Sequence, residues 1–166
     1  DGSLWATGLN RFGQLGVQQN AGTWVPNPTP LRIASELGGS AIIDFSAGSR
    51  HSLVLTHDGS LWSFGSNGRG QLGVSLMAGV WGSTVWRPQK VMLAQSAKFV
   101  RISAGGTHSL AQTEDLRVWG FGNNVDGQLG SADLYGDWDW SPLLVGLNTE
   151  GLAPPFDSST TVVGID

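Results

Sequence analysis

The chain has 166 residues, a net charge of −4 at pH 7 and no cysteine. The absence of cysteine excludes disulfides, thiolate metal ligands and a cysteine nucleophile, and the presence of only two lysines, Lys90 and Lys98, argues against non-specific nucleic-acid binding. Charged residues make up only 13% of the chain, whereas it has 25 glycines and eight tryptophans. This composition favours a turn-rich all-β protein, and no apolar run approaches the roughly 18 residues of a membrane-spanning helix.

A repeated motif organises the chain. It begins at Asp1, again at Asp58 and again at Asp115, so the period is 57 residues. The central copy reads D-G-S-L-W-S-F-G-S-N-G-R-G-Q-L-G, and a preceding A-G-x-x-H-S segment also recurs, once in each full period. Such regular self-similarity determines the architecture before any local motif is considered.

Each period contains four segments with the composition of β-strands. In the central period they lie at about 42–47, 51–57, 60–65 and 88–94, and Gly, Pro, Asn or Asp residues bound them. The Asp58-Gly59 pair supplies the positive φ that a tight hairpin needs. Four antiparallel strands per repeat, arranged radially, describe a β-propeller blade. A solenoid of β-hairpins is the alternative, for which this period is long.

The combined pattern A-G-x-x-H-S-x-x-x-T, D-G-x-L-W-x-F-G-x-N-x-x-G-Q-L-G and a later proline resembles the regulator-of-chromosome-condensation repeat over almost the whole chain. The resemblance implies an all-β propeller, usually of about seven blades. The predicted blades are the second half of one over 1–40, two more over 41–97 and 98–160, and the start of another over 161–166. About three blades cannot close a ring, so we expect a segment of a larger propeller whose remaining blades belong to a longer chain.

The resemblance implies a fold more strongly than an activity. Members of the family include a guanine-nucleotide exchange factor for the small GTPase Ran that also docks on histones, a plant ultraviolet-B photoreceptor, modules of giant ubiquitin ligases and a bacterial β-lactamase inhibitor. The photoreceptor's light-sensing tryptophans would fall at Ser49 and Gly106 here, so light sensing of that type is not expected.

Residues that recur in every repeat are predicted to be structural. One tryptophan per repeat anchors the blade, since each can bury roughly 200 Å², and the Gly-Gln-Leu-Gly glycines frame a tight turn. The paired His-Ser dipeptides suggest nucleophilic catalysis, but adjacent strand residues point to opposite faces, so we interpret the histidines as members of a hydrogen-bond network. The predicted structural residues are Trp5, Trp62, Trp119, His51, His108, Gly13, Gly16, Gly70, Gly73, Gly127 and Gly130.

The acidic segment 137–141 alternates Asp and Trp and could attract Ca²⁺. An EF-hand loop starting at Asp137 would have Pro142 where glycine is required and Asn148 in place of the final glutamate, so we favour a solvated loop. No catalytic residue, cofactor or metal site is predicted.

Partner binding is predicted for Trp24, Trp81 and Trp138, in the variable loops after Gly-Gln-Leu-Gly. We interpret these tryptophans as additions that the repeat does not explain, and exposed aromatic residues mark partner surfaces. The alternative is an aromatic lid packed on the blade edge.

The predicted function is a protein–protein interaction scaffold, not an enzyme, that binds a protein partner and neither nucleic acid nor the membrane interior. One alternative is an exchange-factor-like regulator of a small GTPase. Another is a secreted or cell-surface bacterial propeller that binds a carbohydrate or inhibits an enzyme. The composition leans towards a bacterial or extracellular protein.

Overall fold

The computed structural model of this protein describes residues 3–33, 37–75, 83–93, 98–130 and 138–145. Within these ranges all regular secondary structure consists of β-strands. The ten strands are β1 (Trp5–Leu9), β2 (Pro26–Arg32), β3 (Ile42–Ala47), β4 (His51–Thr56), β5 (Leu61–Ser66), β6 (Thr84–Lys90), β7 (Phe99–Ala104), β8 (His108–Thr113), β9 (Val118–Asn123) and β10 (Trp138–Leu144). Over the same ranges, no helix has the length and apolar character needed to cross a bilayer.

The strands form three antiparallel sheets in which chain neighbours are also sheet neighbours. Strands β1 and β2 pair with each other, β3 to β6 form one four-stranded meander, and β7 to β10 form a second. We name these sheets the first pair, the central blade and the following blade. The predicted repeat of four antiparallel strands is confirmed.

The fourth strand of the central blade differs from the prediction. It was expected at about 88–94 but spans Thr84–Lys90, with Ser66 opposite Thr84 and Trp62 opposite Lys90. The prediction began the strand at its proline because a short apolar run follows that residue. Strand β6 is an edge strand, where a missing N–H is tolerated, so Pro88 lies inside the strand and not at its start.

The hairpin between the second and third strands of each blade has the predicted geometry. Gly59 has a φ of 80°, and a hydrogen bond joins its N–H to the Thr56 carbonyl at 2.8 Å. The side chain of Asp58 accepts from the hydroxyls of Thr56 and Ser60 at 2.7 and 2.9 Å. In the following blade Leu116 takes the glycine's place and keeps the left-handed backbone, with a φ of 65°.

Two apolar clusters hold neighbouring sheets together. One joins the central and following blades, and the other joins the first pair to the central blade. The first contains Leu53, Leu55, Leu61, Val91, Phe99, Ala111 and Phe121, and the second contains Ile33, Leu37, Val54 and Phe64. A fully buried side chain of this size contributes about 1.5–3 kcal/mol, so the contacts between sheets are a main source of stability.

Candidate functional site

One buried asparagine per repeat organises the loop that follows the third strand. Asn10 is fully buried, its Oδ1 accepts from the Leu15 N–H at 3.0 Å, and its Nδ2 donates to the Val17 carbonyl at 2.7 Å. Asn67 and Asn124 repeat the Oδ1 contact, to the N–H groups of the equivalent leucines at 3.1 and 2.8 Å. The sequence motif contained this asparagine, but no role was predicted for it.

The glutamine of Gly-Gln-Leu-Gly fixes the backbone two residues before it. Its Oε1 accepts from the N–H of Phe12 at 2.8 Å in the first repeat, of Arg69 at 2.9 Å in the second and of Asp126 at 2.9 Å in the third. We call these three positions the loop rim. An identical network therefore presents three chemically different side chains.

The predicted glycine-framed turn is confirmed. Gly13 and Gly16 have φ of 77° and 70°, and their N–H groups donate to the carbonyls three residues earlier, both at 3.0 Å. A Cβ on Gly16 would lie 3.0 Å from the Phe64 ring of the next sheet, and one on Gly73 would lie 2.9 Å from the ring of Phe121. The last glycine is required both by the turn and by the approach of the next blade.

The loops of the first two repeats are also each hydrogen-bonded to the next blade through a serine. The Ser52 hydroxyl donates to the Gln14 carbonyl at 2.8 Å, and the Ser109 hydroxyl donates to the Gln71 carbonyl at 2.8 Å. Neighbouring loops are therefore fixed relative to one another, and a surface formed between them is preorganised for binding.

A groove of about 500 Å³ opens where the three sheets meet. Ligand sites generally fall within about 300–1,000 Å³, so the groove can hold several side chains of a partner. Its lining residues come from the first pair, the central blade and the following blade. They are Arg11, Phe12, Trp24, Arg50, Ser66, Gly68, Arg69, Gln71, Thr107 and Asn123.

Two arginines of the groove lie over aromatic rings. The guanidinium carbon of Arg11 is 3.9 Å from the centroid of the Trp24 ring, and that of Arg50 is 4.6 Å from the centroid of Phe12. Arg11 also lies 5.9 Å from the Phe12 ring, so the four side chains form one contiguous cluster. Cation–π contacts of this kind are worth roughly 0.5–2 kcal/mol and restrain the arginine.

The groove is basic although the chain is acidic. Three of the nine Lys and Arg residues line it, no described Asp or Glu does, and the net charge of the chain is −4. The arrangement concentrates positive potential at one place on the surface, where it would attract a negatively charged partner.

Of the three tryptophans predicted to bind a partner, only Trp24 has a side chain that the structure describes. Trp24 lines the groove and is 68% exposed. Trp138 is the first residue of β10, while its side chain and the whole of Trp81 fall outside the described part of the chain. The binding role of all three stays a prediction.

The interpretation of these tryptophans as additions to the repeat was wrong. Trp24, Trp81 and Trp138 are successively 57 residues apart, which is the period itself. The tryptophan is therefore a regular feature of the repeat, placed between Gly-Gln-Leu-Gly and the later proline. The side chains that differ between repeats include those of the loop rim, and the sequence signal for them was the change from Phe12 to Arg69 to Asp126.

The predicted anchor tryptophans occupy different environments. Trp62 is half-buried and packs against the cluster that joins the first pair to the central blade. Trp119 is half-buried against the other cluster and donates from Nε1 to the Thr113 hydroxyl at 3.2 Å. Trp5, in β1, is 56% exposed.

His51 takes part in a hydrogen bond between blades. Its Nε2 lies 2.9 Å from the hydroxyl of Ser109, whose proton is directed to the Gln71 carbonyl. Nε2 must therefore carry the proton and donate, and Nδ1 is a buried acceptor without a partner among the described residues. Burial, with a smaller contribution from the charge of His108, lowers the pKa of His51 to about 4, so the ring is neutral at pH 7.

The described residues contain no group of three or more His, Asp or Glu side chains placed to hold a metal ion. The acidic segment considered for Ca²⁺ falls largely outside the described ranges, since residues 131–137 are not described and β10 is described without most of its side chains.

Four-stranded antiparallel meanders, docked side by side through repeated loops, define the blades of a β-propeller. The chain belongs to the regulator of chromosome condensation (RCC1) repeat family, whose pattern matches residues 1–55 and 58–112. A second form of the same repeat matches residues 42–71 and 99–128. The resemblance seen in the sequence is thereby confirmed.

Relatives of this chain are longer proteins. It is 38% identical over 138 residues to the RCC1 domain-containing protein RUG3, mitochondrial, of Arabidopsis thaliana, covering 81% of this chain and 28% of that protein. It resembles yeast RCC1 (Prp20), solved with Kap60 bound, with a TM-score of 0.73, 26% identity, and coverage of 89% of this chain and 34% of that one.

A second structure of Prp20p, from Saccharomyces cerevisiae, matches with a TM-score of 0.69 and 26% identity over 89% of this chain and 35% of that one. Prp20p is described together with its binding properties to Gsp1p and histones. The chain thus spans about a third or less of these proteins and has the fold of part of a propeller.

Proposed function

We propose that this chain is a protein-interaction module that binds a protein partner in the groove at the junction of its three sheets, and that it acts as a binding element and not as a catalyst. The observation that carries the proposal is the cluster of Arg11, Trp24, Phe12 and Arg50 on a rigid loop framework. Trp and Arg are the residue types most enriched among those that dominate binding energy at protein interfaces.

The loop rim supports the same proposal. Its backbone is held identically in three repeats, while its side chains are Phe12, Arg69 and Asp126. A constant framework with variable side chains is suited to recognition, because the variation changes the surface and leaves the fold intact. The protein partners of Prp20, namely Kap60, Gsp1p and histones, show that a related propeller has protein partners.

The test is quantitative partner capture followed by titration of each captured protein in purified form against the full chain. Trp24→Ala removes the most exposed aromatic residue of the groove, and its matched control is Met92→Ala, a residue that is equally exposed at 68% but does not line the groove. We expect Trp24→Ala to weaken binding roughly tenfold or more, as for a hot-spot residue, and Met92→Ala to leave it unchanged.

Equal affinities for wild type, Trp24→Ala and Arg50→Ala would contradict the proposal. A further pair, Trp81→Ala and Trp138→Ala, extends the test to the equivalent positions of the other repeats. Loss of binding in these variants would extend the binding surface beyond the groove, and unchanged binding would confine it to the groove.

A further inference from the structure

We propose that the groove recognises a short acidic segment of a partner protein, whose Asp or Glu carboxylates pair with Arg11 and Arg50. This inference rests on the proposed function and specifies the chemistry of the partner. It is carried by the geometry of the two arginines, by the absence of acidic neighbours among the described residues, and by the change of charge along the loop rim.

The aromatic rings act as supports for the two guanidinium groups. Arg11 lies over the Trp24 ring and Arg50 over the Phe12 ring, at 3.9 and 4.6 Å from the centroids. A guanidinium held over a ring keeps its N–H edge available for a bidentate carboxylate. Because the ring already restrains the side chain, less conformational entropy is lost when the ion pair forms.

Neither Arg11 nor Arg50 has an acidic partner within the described part of the chain. The ion pair seen there joins Arg117 to Asp115 at 3.3 Å on the hairpin of the following blade, away from the groove. Arg50 is exposed and Arg11 half-buried, so both can be reached from solvent. A carboxylate would complete the pairing that the described residues do not supply.

The basic surface of the groove extends over only part of the loop rim. At the loop rim the side chain is Arg69 in the central blade but Asp126 in the following blade, where Asp126 is exposed. A long polyanion that followed the loops would pass from the arginines to this carboxylate and be repelled. Moreover, a ring face occupied by a guanidinium is not open for the base stacking that single-stranded nucleic acids use. Both observations favour a short acidic peptide over a nucleic acid.

The experiment measures fluorescence anisotropy of fluorescein-labelled hexaglutamate titrated with the full chain, with hexaglutamine and hexathymidylate as comparison probes. The test variant is Arg11→Gln/Arg50→Gln. Its control, Arg32→Gln/Arg101→Gln, removes two exposed arginines that do not line the groove. The two double variants have the same net charge, so a difference between them reports the groove and not general attraction.

We expect hexaglutamate to bind the wild type and the control with similar affinity, and the groove variant at least tenfold more weakly. Hexaglutamine should not bind, and the affinity for hexaglutamate should fall as salt screens the charges. Absence of hexaglutamate binding to the wild type, or equal losses in the two double variants, would overturn the inference. Tighter binding of hexathymidylate, lost in the groove variant, would also overturn it and assign the groove to nucleic acid.

The two proposals fail separately. If a purified protein partner loses affinity in Trp24→Ala while hexaglutamate does not bind, the interaction function stands and the acidic specificity falls. If hexaglutamate binds through Arg11 and Arg50 but no partner is affected by groove variants, the interaction function falls and the anion site stands.

Discussion

The two histidines of the His-Ser dipeptides occupy the same strand position in neighbouring blades, yet their environments differ. His51 is fully buried and bonded to Ser109 of the following blade, whereas His108 is half-buried. Burial lowers the pKa of both, to about 4 for His51. The repeat thus specifies the residue, while the blade packed beside it specifies the protonation behaviour.

The hairpin turns keep the same backbone in the two blades although the residue differs. Gly59 and Leu116 both have a left-handed backbone, and Lys98, just before β7, packs against Gly59. A Cβ on Gly59 would lie 2.5 Å from the Cβ and 3.1 Å from the Cα of Lys98, whereas Leu116 is 51% exposed. Among the described residues, a neighbouring segment therefore constrains the turn of the central blade, and none is described against the turn of the following blade.

Exchange of these two turn residues should produce the largest effect. We expect Gly59→Leu to lower the free energy of unfolding by about 3 kcal/mol, because it combines left-handed strain with a steric clash. Leu116→Gly should change it by less than about 1 kcal/mol, since relief of strain is offset by the greater entropy of the unfolded chain. Urea unfolding measures both, and similar losses in the two variants would contradict the comparison.

The lowered pKa of His51 predicts a loss of folding stability in mild acid. The pKa of His51 is lowered from 6.5 to about 4 on folding, so below pH 6.5 the unfolded chain binds a proton that the folded chain does not. Stability should fall between pH 6.5 and 4, by at most roughly 3 kcal/mol for this group. Urea unfolding at pH 7, 5.5 and 4.5 measures the slope.

The matched variants are His51→Gln and His108→Gln. We expect His51→Gln to flatten the slope between pH 6.5 and 4, and His108→Gln to retain most of it because that ring is only half-buried. The contribution of Asp58 to the pH dependence can be separated from that of the histidine, because hydrogen bonds from Thr56 and Ser60 lower the pKa of its carboxyl from 3.8 to about 2. The stability that Asp58 contributes is therefore lost only as the pH falls from about 3.8 to about 2. An unchanged slope in His51→Gln would show that this ring is not the origin.

The smallest difference in stability is expected between alanine variants of the two serines that join the loops to the next blade. Ser109→Ala leaves the buried His51 Nε2–H and the Gln71 carbonyl without their partner, at a cost of about 2 kcal/mol. Ser52 is half-buried and bonds the Gln14 carbonyl, so Ser52→Ala should cost about 1 kcal/mol. Thermal unfolding of both variants at pH 7 gives the comparison, and an equal or larger loss in Ser52→Ala would contradict it.

Much of the fold was predictable from the sequence. The period, the four strands per blade and the Asp58-Gly59 hairpin follow from local patterns of apolar and turn-forming residues, which depend on chain neighbours alone. The start of β6 was predicted four residues too late, because its proline was taken as a boundary when an edge strand could contain it.

The candidate site was less predictable. Trp24 was identified from its loop, although for a reason that the repeat register contradicts. The grouping of Arg11 and Arg50 in one groove was not predicted, since they are separated by most of a period and meet only when two sheets dock. The role of Asn10 was also missed, because a motif shows that a residue recurs and not which backbone groups it bonds.

By itself the sequence determined the repeat, its strands and the turns within each blade, since these are set by residues close together in the chain. The tertiary structure alone decided the burial of His51, the need for glycine at position 59 and the places where arginines meet aromatic rings. Each of these depends on contacts between blades, made by residues that are distant in sequence. The environment of a repeated residue is thus fixed only when its neighbouring blade is in place.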